Sequence, residues 1–310
     1  MASTNIERRS DSLVIRPRFR WLTDRWIAFS FLTPTMLLLL FITVFPLLWS
    51  LYLSFTQWSV IQDANNPPIW VGTANYWELL TNKQAWQRFV VTGQFVIPTV
   101  LIELLLGFGA AMLLNRKFKG RGGIMTLLLI PMMLSPVVVA LFWRFMMQGE
   151  GVLNYYVTQI FGQKPILWLT NINIAPWSLV IVDVWMWTPF MMLISLAGLS
   201  AVPKYLYEAA AVDRASAWFR FRHITLPMVT PLLLIAIIFR TMDAYKLFDQ
   251  VFVLTGGGPG RFTQTAALYV YEVAFKNFQT GEGSAFGYIM LIVIIALSNL
   301  FIRVLNRTKA

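Results

Sequence analysis

Six long apolar runs alternate with short polar segments along this chain. No charged residue occurs from Ile27 to Phe55. A helix needs about 20 apolar residues to cross the hydrocarbon core, so this run predicts a first membrane span. Phe89–Leu114 is a second, interrupted only by Pro98 and Glu103. Ile124–Met147, with Pro131, Pro136 and Arg144, is a third. Pro176–Leu199 is a fourth, with Asp183 inside it. Pro227–Leu254 is a fifth, charged in its second half, and Ser284–Ile302 a sixth. The pattern predicts an all-α integral membrane protein with six transmembrane helices. It divides the chain into a tail (1–26), a first span and outer loop (27–88), a five-span core (89–302) and a short tail (303–310).

Composition agrees with the pattern. Mean hydropathy is +0.63, 57% of residues are hydrophobic and only 13% are charged. A soluble domain of this length needs more charge to cover its surface. The 13 Trp, 24 Phe and 10 Tyr suit aromatic belts at two membrane interfaces. With no cysteine, disulfides and thiolate metal sites are excluded. A net charge of +11 would suggest nucleic acid in a soluble protein. Here the basic residues sit in short loops and tails. The N-terminal tail, the 115–122 loop, the 203–225 loop and the C-terminal tail hold six, four, four and three of the 25 Lys and Arg. The positive-inside rule therefore places these segments, and both termini, in the cytoplasm.

Catalytic signatures are missing. There is no G-x-x-x-x-G-K-[ST] loop, so ATP binding by a P-loop is excluded, and His223 is the single histidine. Gly256-Gly257-Gly258-Pro259-Gly260 lacks a following Lys-Ser/Thr and reads as a turn or re-entrant loop. Glu103, Arg144, Asp183, Arg240, Asp243, Lys246 and Asp249 lie inside spans. Each costs at least about 2.5 kcal/mol at mid-bilayer unless it faces the bundle interior or a watery cavity. Trp187 and Phe190 lie four and seven residues after Asp183, on its helical face. An acid beside aromatic rings suits a sugar or polyol: hydroxyls donate to the carboxylate and CH faces stack on the rings. Pairing of Asp183 with Arg240 is the alternative. Arg240, Asp243 and Lys246 alternate in sign at intervals of three, as a stabilising ladder, a polar path or a relay in an ion-coupled transporter.

The longest polar, basic passage between spans is 203–227. Pro203 opens it, Glu208-Ala209-Ala210-Ala211 favours a helix, and Leu206, Ala209, Ala210 and Asp213 share a face. A small-residue helix of this kind fits a groove in another protein. Glu208-Ala209-Ala210, Asp213, Ala215 and Ile224-Thr225-Leu226-Pro227 resemble the EAA loop of binding-protein-dependent ABC importer permeases. The whole chain is similar to the MalF-type sugar permeases, with Pro131, Trp185, Pro189 and Leu254-Thr255-Gly256-Gly257-Gly258-Pro259 where that family has them.

The resemblance implies a MetI/MalF-like core and a cytoplasmic EAA coupling helix. It implies ATPase coupling through Glu208, Ala209, Ala210, Asp213, Arg214, Ala215, Leu226 and Pro227. It implies a substrate path past Asp183, Trp187, Phe190, Arg240 and Asp243. The implied partners are a second homologous permease in a heterodimer, a homodimeric ABC ATPase carrying ATP and Mg, an extracytoplasmic solute-binding protein, a carbohydrate and membrane lipid. The implied location is the bacterial inner membrane, and the chain itself carries no cofactor and is not an enzyme. An ion-coupled secondary transporter and a scaffold without a path are the alternatives. One residue departs from the family: the usual pattern has Asp-Gly-Ala where this chain has Asp213-Arg214-Ala215. Glycine permits a sharp turn, so Arg214 requires either a different turn or accepted strain.

Overall fold

A computed structural model describes residues 20–59, 61 and 67–307, with side chains from Trp26 to Arg303. The expectations for residues 1–19, for 60 and 62–66 of the outer loop, and for 308–310 lie outside the described residues. Contacts divide the chain at Ser50/Leu51 into two units.

The first unit contains most of α1 (Arg20–Ser54), a helix whose side chains from Trp26 to Trp49 are almost all exposed. Residues assigned to the N-terminal tail, Arg20–Trp26, are already helical. They run into the span because nothing between Arg20 and the apolar run breaks a helix. Pro34 and Pro46 lie inside α1.

In the second unit, β1 (Thr56–Gln57) and β2 (Ile69–Trp70) form a two-residue antiparallel pair, Thr56 opposite Trp70. Then come α2 (Ala74–Thr81) and α3 (Lys83–Leu114), α4 (Arg121–Met133) and α5 (Pro136–Met146), α6 (Val152–Gln159) and α7 (Ala175–Ala201). The chain continues with α8 (Lys204–Val212), α9 (Ala217–Arg220), a π-turn over Phe221–Thr225, α10 (Leu226–Tyr245) and α11 (Asp249–Leu254). It ends with α12 (Ala266–Tyr271), a second π-turn over Glu272–Lys276, and α13 (Thr280–Arg307). Among the described residues, five helices are long and apolar enough to cross a membrane, and a sixth span is available if α4 and α5 count together.

The third span is bent by 96° between α4 and α5. Proline disfavours helical geometry in the residue before it, and Ser135 is extended (φ −65°, ψ 138°) ahead of Pro136. Leu134 is extended too, so the two halves leave in different directions. The fifth span also differs from expectation. It begins at Ala217, ten residues before Pro227, because Ser216 Oγ caps the helix by accepting from Phe219 N at 3.1 Å. It ends at Tyr245 rather than Leu254. Thr265 Oγ1 donates to Leu247 O (3.0 Å) and so satisfies a carbonyl that the break leaves free. Arg144 Nη1 likewise donates to Val253 O at 2.9 Å, near the end of α11.

Helix α3 packs most extensively on α7, and α10 lies against both. Gly107 sets the approach: a Cβ there would meet Met191 Cβ at 2.6 Å and Met192 N at 2.8 Å. Two buried apolar clusters flank this crossing. One includes Phe95, Val182, Met186, Ala244 and Phe286. The other includes Ala111, Leu114, Met192, Leu196, Val229 and Leu233. Overpacking a close-packed interior costs about 1–3 kcal/mol. Gly107→Ala is therefore expected to lower the thermal unfolding midpoint of the detergent-solubilised protein, whereas Gly109→Ala, which meets nothing within 4 Å, leaves it unchanged.

Candidate functional site

Arg240 is the centre of the site. It lies on α10 with 2% of its side chain exposed. Its Nε sits 2.8 Å from Glu103 Oε2, and its Nη2 donates to Glu103 Oε1 at 2.9 Å. Nη2 also donates to Asp183 Oδ2, and Nη1 donates to Asp243 Oδ2 at 3.2 Å. Glu103 belongs to α3 and Asp183 to α7, and both side chains are fully buried. One guanidinium thus ties three spans together. The apolar surroundings make each interaction strong and the loss of any partner costly.

Beside the cluster is a cavity of about 520 Å³, lined by Trp187, Phe190, Ile194, Phe239, Arg240, Met242, Asp243 and Lys246. The Arg240 guanidinium carbon lies 5.1 Å from the Trp187 ring centroid, within cation–π range. Trp187 and Phe190 meet edge to face with centroids 6.4 Å apart. The Asp243 carboxylate is 53% exposed and faces this space. Four of the five expected path residues, Trp187, Phe190, Arg240 and Asp243, therefore share one cavity. Asp183 takes the pairing alternative: it is held by Arg240 and does not line the cavity. In the ladder on the fifth span, Arg240 pairs with Asp243 but Lys246 has no carboxylate within ion-pair distance among the described residues.

From sequence Glu103 is an intramembrane acid with no place in the site, and the structure brings it there against Arg240. A lone carboxylate with no charged residue on its own span requires a partner from another one. That requirement was the available signal, and the long-range choice of Arg240 was not.

The expected coupling residues lie elsewhere on the molecule. Pro203 precedes α8 in extended geometry rather than standing in its first turn. On α8, Glu208, Ala209 and Val212 are exposed, Val212 at 83%, while Ala210 is buried. Asp213 caps the helix and Arg214 follows at φ +54°. Ala215 N donates to Ala210 O (2.9 Å) and Arg214 N to Ala211 O (3.1 Å). These two bonds form a Schellman ending, which normally uses glycine at the left-handed position. The departure from the family pattern is thus met by strain, with the turn retained. A groove of about 510 Å³ runs along Leu206, Ala209, Ala210, Asp213, Ala215, Ser216, Phe219 and Ile224. Tyr207 Oη and Thr225 Oγ1 share a hydrogen bond of 2.9 Å that ties α8 to the π-turn.

That π-turn has a local cause. Pro227 has no N–H to donate to His223 O, and its ring crowds that carbonyl. The helix widens ahead of it, and Leu226 N donates to Phe221 O, five residues back. Leu226 and Pro227 therefore sit just above α8's anchoring point, both exposed.

An apolar helical bundle with a charged cluster buried among its spans and a polar-edged cavity beside it defines a membrane-embedded transport subunit. Residues 103–309 match the model of the binding-protein-dependent transport system inner membrane component, and the chain belongs to that family of ABC transporter permeases. It is 36% identical over 96% of its length to a probable ABC transporter permease protein, y4oQ, of Sinorhizobium fredii, covering 94% of that protein. It is 34% identical over 90% of its length to the trehalose/maltose transport system permease protein MalF of Thermococcus litoralis, covering 93% of it. Its fold is similar, with a TM-score of 0.78 at 20% identity, to a chain in the crystal structure of a bacterial ABC transporter involved in the import of the acidic polysaccharide alginate, covering 92% of this chain and 96% of that one.

Two stability effects follow. Removing the cation from a buried ion cluster costs about 3–5 kcal/mol. Arg240→Met is expected to lower the unfolding midpoint strongly, and adding Glu103→Gln and Asp183→Asn to recover much of the loss. A left-handed non-glycine residue costs about 1–2 kcal/mol. Arg214→Gly is therefore expected to raise the midpoint in the same assay by an amount equivalent to about 1 kcal/mol.

Proposed function

We propose that the chain is the permease subunit of an ATP-driven importer for a carbohydrate, in the multi-pass setting of a bacterial inner membrane. The observation that carries this reading is the cavity in which Trp187 and Phe190 stand next to the half-exposed Asp243. Aromatic faces stack on the CH faces of a sugar ring, and a carboxylate accepts its hydroxyls. The cavity is open on one side, which a second, homologous permease would close in a heterodimer. Relatives named for trehalose and maltose support the substrate class.

In this reading both termini, α8 and the basic loops face the cytoplasm. The exposed face of α8 bearing Glu208, Ala209 and Asp213 docks in a cleft of a separate, homodimeric ABC ATPase, where ATP and Mg reside. An extracytoplasmic solute-binding protein delivers the sugar from the opposite side. The hydrogen bond between Tyr207 and Thr225 then links ATPase movement to α10, which carries Arg240 and Asp243. The chain does no chemistry of its own in this scheme.

Trp187→Ala is expected to reduce sugar uptake at least tenfold in whole cells while the ATPase still co-purifies. Glu208→Lys is expected to abolish both uptake and co-purification. Normal uptake by either variant overturns the corresponding assignment. A C-terminal reporter enzyme active only outside the cytoplasm is expected to stay silent, and activity there would reverse the topology.

A further inference from the structure

An arginine on the wall of a transport cavity leaves room for an anionic ligand. The geometry contradicts that. Arginine recognises phosphate, sulfonate and carboxylate groups by presenting two parallel N–H donors to them. Here the Nε–Nη2 edge faces the two oxygens of Glu103, Nη2 also serves Asp183, and Nη1 is turned to Asp243. What is left over is one N–H of Nη1, with the guanidinium carbon 5.1 Å from the Trp187 ring centroid. A single N–H makes no bidentate bond to an anion.

The charges point the same way once the buried cluster behind the wall is included: Glu103, Asp183 and Asp243 stand against Arg240 and Lys246, three carboxylates to two cations. Protonating one buried carboxyl makes this set neutral, and no single protonation makes it positive. Lys246 lies at the exposed rim, three residues after Asp243, so its charge is set against a carboxylate one helical turn away. In an apolar enclosure, uncompensated like charge is repelled far more strongly than in water.

We propose that Glu103 and Asp183 are specificity-determining positioning residues: by holding the donors of Arg240 they keep this buried cation from the solute and leave Lys246 at the rim as the one unpaired cation of the lining, so that the cavity favours uncharged polyhydroxyl ligands over phosphorylated, carboxylated or sulfonated ones. The inference rests on the reading of this cavity as a sugar site. Neither residue touches the ligand. Both act through the orientation of Arg240, which explains why two carboxylates occupy the dry side of the cluster, where they meet no solute.

The test is equilibrium binding to the purified transport complex in nanodiscs. The probes are radiolabelled trehalose, maltose, trehalose 6-phosphate and maltose 1-phosphate. Wild type is expected to bind at least one neutral disaccharide at least tenfold more tightly than its phosphate ester. The double variant Glu103→Gln, Asp183→Asn keeps the shapes and acceptors but releases the Arg240 charge. Its preference is expected to shift toward the ester by tenfold or more, and the shift to vanish when Arg240→Met is added. If the double variant does not purify as a monodisperse complex, Glu103→Gln alone is expected to shift the ratio at least threefold. An unchanged ratio in the purified variants, or a wild type that prefers the esters, overturns the inference while leaving the sugar site standing. Failure of wild type to bind any of the four overturns the sugar reading and this inference together.

Discussion

The structure depends on one buried cation satisfying carboxylates from two other helices. Arg240, Glu103 and Asp183 come from positions 57 or more residues apart in sequence, yet none is tolerable in an apolar interior without the others. Their pairing fixes the rotation of α3, α7 and α10 about their axes, because each helix must turn its charged residue inward. The close α3–α7 approach at Gly107 sets the separation. Rotation and separation together place Trp187, Phe190 and Asp243 on a common wall. The cavity is a by-product of satisfying the charges, and its chemistry follows from which charged groups are left at its edge.

Breaks in the helices are as informative as the helices. Pro136 turns the third span, and Pro227 widens the base of the fifth. The fifth span stops at Tyr245 where neighbouring side chains accept responsibility for freed backbone groups. Irregular backbone at this depth is tolerated only where it is buried in protein or lines a cavity, and at the end of the fifth span Thr265 supplies the donor from another element.

Much of this was legible in the sequence. The six apolar runs foretold the spans because hydrophobic length is a local property that the bilayer reads directly. Trp187, Phe190, Arg240 and Asp243 were legible because helical spacing and the cost of buried charge limit where they can point. The bend between α4 and α5 was marked by Pro136 but not its angle, which depends on what each half packs against. The start of the fifth span at Ala217 was missed because Trp218–His223 looks too polar for a span. A helix can precede the membrane it later crosses. Partner choice was the least legible feature. That Glu103 rather than another carboxylate joins Asp183 on Arg240 depends on helix rotation and separation, which no single run of residues encodes. At Arg214 the sequence posed an alternative between strain and a different turn, and backbone hydrogen bonding decided it for strain.

The π-turn has a mechanical meaning. From Ala217 to Tyr245 the chain is one uninterrupted rod of 29 residues, roughly 44 Å at 1.5 Å per residue. Its lower end is pinned to α8 through Tyr207 and Thr225, and its upper end bears Arg240 and Asp243. The only widened ring in this rod lies at the pin itself, leaving the long arm above it regular. Under the proposed coupling, a push on α8 would enter at the pinned end of this rod, and the cavity wall sits at the far end of the long arm, where a given small rotation sweeps the greatest distance.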